Sequence, residues 1–125
     1  MDTQITPLYA GILGLMLVAL GIRAILLNPG DEAGEEIKRF RFDKGMQAFG
    51  NFTEYAPFAL ILIWWFEQQS GEGTFVHILC LGLLAGRLVH AFGVSQVNEK
   101  PAFRVAGMAL TFIVITTVAV RLVLF

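Results

Sequence analysis

Four apolar stretches, Thr6–Leu27, Phe49–Phe66, Thr74–Phe92 and Ala102–Phe125, take up most of this chain. Each has about the 17–25 residues that a helix rising 1.5 Å per residue needs to cross the hydrocarbon of a bilayer. With only 15% charged residues and a mean hydropathy of +0.68, the sequence is far too apolar for a soluble domain of 125 residues. The expectation is an all-α integral membrane protein, a single transmembrane domain over 1–125 with helices near 6–27, 47–66, 74–92 and 102–125. The first stretch is expected to be retained rather than cleaved. Asp2 stands where a secretory signal has basic residues, and no small-residue cleavage site precedes Asn28-Pro29-Gly30.

The polar connections orient the helices. Lys38, Arg39, Arg41 and Lys44 lie between the first and second stretches and Lys100 between the third and fourth, whereas Glu67–Gly73 has no basic residue. The positive-inside rule then turns the first and third connections toward the cytoplasm and both termini away from it, with Arg121 as mild contrary evidence. Asn28-Pro29-Gly30 ends the first helix, because proline removes a donor and glycine accepts a left-handed backbone. The acidic-then-basic Asn28–Lys44 segment, with Asp31, Glu32, Glu35 and Glu36 ahead of the basic group, reads as a short surface helix, an ordered loop or a solvated linker. Gln68–Gly73 reads as a tight turn between antiparallel helices, and Gly93–Pro101 as the last connection. Gly82 and Gly86, four apart, and Gly107 suit close helix packing. Cys80 is the only cysteine, so neither an intramolecular disulfide nor a thiolate metal cluster is available.

This topology gathers the intramembrane polar residues into one leaflet. Arg23 falls near the end of the first helix, Gln47, Asn51 and Glu54 near the start of the second, Arg87 and His90 near the end of the third, and Arg104 near the start of the fourth. Gln47, Asn51, Glu54 and Phe58 share one helical face, and Arg87 and His90 are neighbours one turn apart. Charges in hydrocarbon cost several kcal/mol each unless they meet partners or water, so these groups are expected to face one another. Two outcomes are open. Glu54 could pair with Arg87 or Arg104 in a ligand-free polar clamp, or the surplus of arginines over carboxylates could draw an anionic ligand from the cytoplasmic side. A proton-coupled exporter using Glu54 is disfavoured, because nearby arginines would hold the carboxylate ionised. No nucleic-acid patch, phosphate loop, metal-ligand spacing or serine triad is present in the sequence.

The run Asn51-Phe-Thr-Glu54-Tyr55-Ala-Pro57 resembles the Asn-x-x-Glu-Tyr-x-Pro signature of the MAPEG family, the membrane-associated proteins in eicosanoid and glutathione metabolism. Gly86-Arg87-Leu-Val-His90 is similar to that family's third-helix segment, and Arg104-Val-Ala-Gly107 to the basic start of its fourth helix. The resemblance implies a left-handed antiparallel four-helix bundle, a homotrimer in the bacterial inner membrane among its lipids. It further implies glutathione held between subunits near the cytoplasmic leaflet as co-substrate, and a small lipophilic electrophile as its acceptor. It would make Asn51 and Glu54 holders of the peptide, Arg87 and His90 pocket residues, Arg104 the group that stabilises the thiolate, and Arg23 a further carboxylate contact. Tyr55 belongs to the signature, although an interfacial tyrosine is also an ordinary membrane anchor. His77 reads as an interfacial or packing residue. The chain departs from the family pattern at Gln47, where arginine is usual, at Phe49, where glutamine or histidine is common, and at Val94, where many enzymes have tyrosine. A lost charge-assisted bond of about 1.5–3 kcal/mol would weaken glutathione binding by roughly one to two decades, unless Lys44 or Arg41 replaces the missing donor.

Overall fold

The computed structural model describes residues 4–30, 35–70, 72–95 and 101–124. These residues form α1 (Thr6–Leu27), α2 (Glu36–Ser70), α3 (Gly73–Ser95) and α4 (Pro101–Leu124). Asp31, Glu32 and Lys100, which entered the charge reading above, lie outside the described residues. Three helices, α1, α3 and α4, are each long and apolar enough to cross a membrane. The hydropathy of α2 is lowered by the polar face that carries Gln47, Asn51 and Glu54, while its later half, through Ile61, Ile63, Trp64 and Trp65, is apolar. Large apolar side chains such as Leu15, Val18, Ile25, Trp65, Ile113 and Val123 point outward around the bundle. An exterior this apolar fits lipid rather than water.

Consecutive helices pack on one another, α3 on α4 most extensively, and α2 also touches α4. The core between them is built from Leu13, Ala59, Ile63, Val76, Leu83 and Val118, all almost fully buried.

The segment before the second apolar stretch is helix, not linker. With 35 residues, α2 is about 52 Å long, more than the roughly 40–45 Å of a whole bilayer, so its first turns extend beyond the hydrocarbon. Glu36, Lys38, Arg39, Arg41 and Lys44 are good helix formers, and no proline or glycine interrupts them before Gly45. Gly45 instead faces α1, where an added Cβ would lie 3.0 Å from the side chain of Leu27. Pro57 sits inside α2 without ending it, although its missing N–H leaves the Thr53 carbonyl without the usual intrahelical donor.

α1 ends at Leu27 as its sequence dictates. Asn28, held extended by the following proline, accepts the Gly30 N–H at 3.0 Å on its side-chain oxygen, and Gly30 takes the left-handed φ of +54°. At its other end, α1 has no side-chain cap of its own. The carboxylate of Glu67, from the last turns of α2, accepts the backbone N–H groups of Ile5 at 2.5 Å and Thr6 at 3.0 Å. A neighbouring helix therefore supplies the negative cap that the α1 dipole favours. Close by, the Tyr9 hydroxyl is 3.1 Å from His77 Nδ1, and Arg121 of α4 pairs with Glu72 at 3.3 Å while lying over the rings of Phe66 and Phe75.

Candidate functional site

At the opposite end of the bundle, where α2 and α4 enter it and α3 leaves it, the packing of α4 on α3 is unusually close. A Cβ on Gly107 would lie 2.6 Å from both the Cβ and the backbone nitrogen of His90, and one on Gly93 would lie 2.7 Å from the Phe103 Cβ. Only glycine permits this approach. It brings the first turn of α4, carrying Arg104, beside the last two turns of α3, carrying His90 and Val94.

α2 supplies the facing wall. Asp43, Gln47, Asn51 and Glu54, spaced four, four and three residues apart, form one stripe along the helix. Together these elements enclose an open groove of about 620 Å³ lined by Asp43, Gln47, Asn51, Glu54, His90 and Arg104, with Met46, Gly50 and Val94 between them. That volume lies within the usual range for small-molecule sites. Glu54 and Arg104 are both exposed on the groove, and Glu54 makes no hydrogen bond or ion pair among the described residues.

Arg87 lies beneath this groove rather than in it. Its guanidinium is only 1% exposed and donates from Nη2 to Asn51 Oδ1 and from Nη1 to Thr111 Oγ1 at 3.4 Å, with Met108 Sδ at 3.9 Å. Thr111 in turn donates to the Gly107 carbonyl at 2.9 Å. One buried cation therefore joins α2, α3 and α4 through neutral partners, and Phe52 presents its ring 5.9 Å away. Arg23, half-buried on α1, does not line the groove. Tyr55 turns toward α4, where its ring meets Phe112 edge-on at 5.5 Å. Neither Lys44 nor Arg41 replaces the donor that Gln47 lacks: Lys44 is buried over the Phe40 ring, and both are absent from the groove lining.

Among the described residues, the expected surplus of positive charge is therefore not assembled in the groove. The groove holds Asp43 and Glu54 against Arg104, with Arg87 buried below and Arg23 elsewhere. Being expected at one membrane depth does not make these arginines share a face. Asp43 is the lining residue that the sequence reading passed over, because it fell in a stretch taken as connection. Extending the Gln47–Asn51–Glu54 periodicity back by one turn finds it.

A four-helix bundle with an apolar exterior and a polar groove at one end defines the class: an integral membrane protein. A profile of the MAPEG family matches residues 6–124, and the chain belongs to that family. It is similar to the inner membrane protein YecN of Escherichia coli strain K12, with 29% identity over 115 residues, covering 87% of this chain and 82% of YecN. YecN of Escherichia coli O6:H1 matches equally, and no solved structure matches.

Proposed function

We propose that this protein is a glutathione-dependent transferase or peroxidase of the bacterial inner membrane that acts on small lipophilic electrophiles. The observation that carries the reading is the meeting of Glu54 from α2 with His90 from α3 and Arg104 from α4 in one groove open to the outside of the bundle. Glutathione carries one ammonium, two carboxylates and a thiol. The ammonium suits Asp43 and Glu54, and a guanidinium lowers the pKa of a neighbouring thiol, so Arg104 would hold the thiolate. That sulfur would then attack an electrophilic carbon arriving from the lipid, forming a C–S bond as the leaving group departs. In the peroxidase variant it would attack a peroxide oxygen, breaking the O–O bond with release of the alcohol, and a second glutathione would convert the resulting sulfenic acid to the disulfide and water.

The cytoplasmic leaflet is supported by Lys38, Arg39 and Arg41 at the same end of the bundle as the groove. An inner-membrane location is supported by the name of the similar YecN. A homotrimer would set a neighbouring copy against the open side of the groove and bring in the cations that one chain does not gather there.

The test is glutathione binding by purified protein in lipid nanodiscs, with thiolate ultraviolet absorbance as a second readout. Arg104→Ala should abolish the absorbance. If neither the wild type nor Gln47→Arg binds glutathione at millimolar concentration, the transferase assignment fails. The alternative is a non-catalytic family member whose polar residues only tie helices together, as Arg87 ties α2, α3 and α4, or hold a lipid headgroup. It requires that glutathione leave the melting temperature unchanged.

A further inference from the structure

The buried guanidinium of Arg87 fixes which way Asn51 presents its amide. Arginine has donors and no acceptor, so the Asn51 atom facing it must be Oδ1. The hydrogen bond from Arg87 Nη2 to that oxygen turns the Nδ2 amino group away from α3. Asn51 lines the groove, and its amino group has no hydrogen-bond partner among the described residues and is not sealed from solvent. Thr111 secures the arrangement from behind. Its hydroxyl spends its proton on the Gly107 carbonyl, which leaves the oxygen lone pairs to accept Arg87 Nη1.

We infer that Arg87 and Thr111 are positioning residues that lock Asn51 as a hydrogen-bond donor to a ligand carboxylate in the groove. This rests on the glutathione reading above. A clamp serving stability alone gains little from a buried guanidinium, since apolar residues of similar volume hold buried positions as well or better. Here the cation has no carboxylate partner among the described residues, and its Nε makes no hydrogen bond. Its uncompensated charge therefore lies directly behind the Asn51 amide, where it polarises the amino group and favours an anion in front of it. The arrangement selects carboxylate over carboxamide or ester, because only the anion benefits from both the donor and the charge.

Asn51→Asp separates this role from a structural one. Aspartate keeps an acceptor for Arg87, now as an ion pair, so the helix tie survives, while the groove-facing donor becomes an acceptor. The probes are glutathione and its diethyl ester, which lacks both free carboxylates, titrated into nanodisc-embedded protein by calorimetry alongside thermal melts. The wild type should prefer glutathione over the ester. In Asn51→Asp that preference should fall by about tenfold, the size of one lost charge-assisted hydrogen bond, with the melting temperature retained or raised. Thr111→Val should lower the preference as well, and Thr111→Ser should restore it. A wild type that binds neither probe overturns the glutathione reading and this inference together. A wild type that prefers glutathione and an Asn51→Asp variant with the same preference overturn this inference alone, as does an unchanged preference in Thr111→Val.

Discussion

Replacing Gly107 by alanine tests whether the contact between α3 and α4 is as close as the structure shows. The added methyl carbon would lie 2.6 Å from the Cβ and backbone nitrogen of His90 and 2.7 Å from the carbonyl oxygen of Gly86. None of these atoms is the free end of a side chain, so no rotamer change relieves the overlap and α4 has to lift away from α3. Overpacking of this kind costs about 1–3 kcal/mol, and the backbone contacts place it at the upper end. Alanine is the better helix former by about 0.8–1.0 kcal/mol, so the net loss should be about 2 kcal/mol. The assay is equilibrium unfolding in mixed micelles followed by circular dichroism, with Gly14→Ala as the control. A Cβ on Gly14 meets nothing within 4 Å, so that variant should be unchanged or slightly stabilised. On the proposed function, Gly107→Ala should also weaken glutathione binding, because the displaced turn lies next to Arg104 and carries the carbonyl that accepts the Thr111 hydroxyl. Unfolding of Gly107→Ala at the same denaturant strength as Gly14→Ala would refute the close approach and, with it, this account of how the groove is formed.

The other end of the bundle gives two further tests. Glu67→Gln removes the negative charge that caps α1 and leaves one acceptor for the two N–H groups, so stability should fall by about 1 kcal/mol, with faster amide exchange at Ile5 and Thr6. Glu72→Ala breaks a partly solvated ion pair and should cost less than about 1 kcal/mol. Arg121→Ala should cost more than Glu72→Ala in the same melts, because it also strips the guanidinium from the Phe66 and Phe75 rings.

The places of α1, α3 and α4 were legible in apolar run length alone. α1, α3 and α4 begin and end within a few residues of their hydrophobic stretches because hydrocarbon leaves a backbone no alternative to helix. The start of α2 was not legible in this way. Outside the hydrocarbon, the Glu36–Gln47 segment is helical through propensity and contact with α1, neither of which registers as hydropathy. The rotation of each helix about its axis was also hidden. His90 and Arg87 are one turn apart, yet His90 reaches the groove while Arg87 is enclosed by Asn51, Thr111 and Met108. What decides between those two outcomes is the glycine contact of α3 with α4, a property of two helices together that neither sequence shows by itself. The MAPEG signature falls on a turn of α2 that lines the groove, without saying which of its side chains would face it.

The two ends of the bundle divide the work of holding it together. Where α1 begins and α2 finishes, Glu67 caps a neighbouring helix, Tyr9 meets His77 across α1 and α3, and Arg121 joins α4 to the turn before α3. These contacts use charged and polar groups that the surrounding water and headgroups help to solvate, so they can tie helices together at modest desolvation cost. At the groove end the tie is internal: Arg87 joins three helices with neutral acceptors and leaves Glu54 and Arg104 exposed. On the proposed function, a salt bridge between Arg87 and Glu54 would cost the groove the carboxylate that suits the ammonium of glutathione. In the structure the Arg87 guanidinium instead donates to Asn51 and Thr111, and Glu54 makes no ion pair among the described residues. Asn51→Leu should therefore release Arg87 toward Glu54, and the loss of ammonium recognition should then exceed what removing one amide alone can explain. An Asn51→Leu protein that still distinguishes glutathione from its N-acetyl derivative as well as the wild type does would show that Asn51 does not keep Arg87 from Glu54.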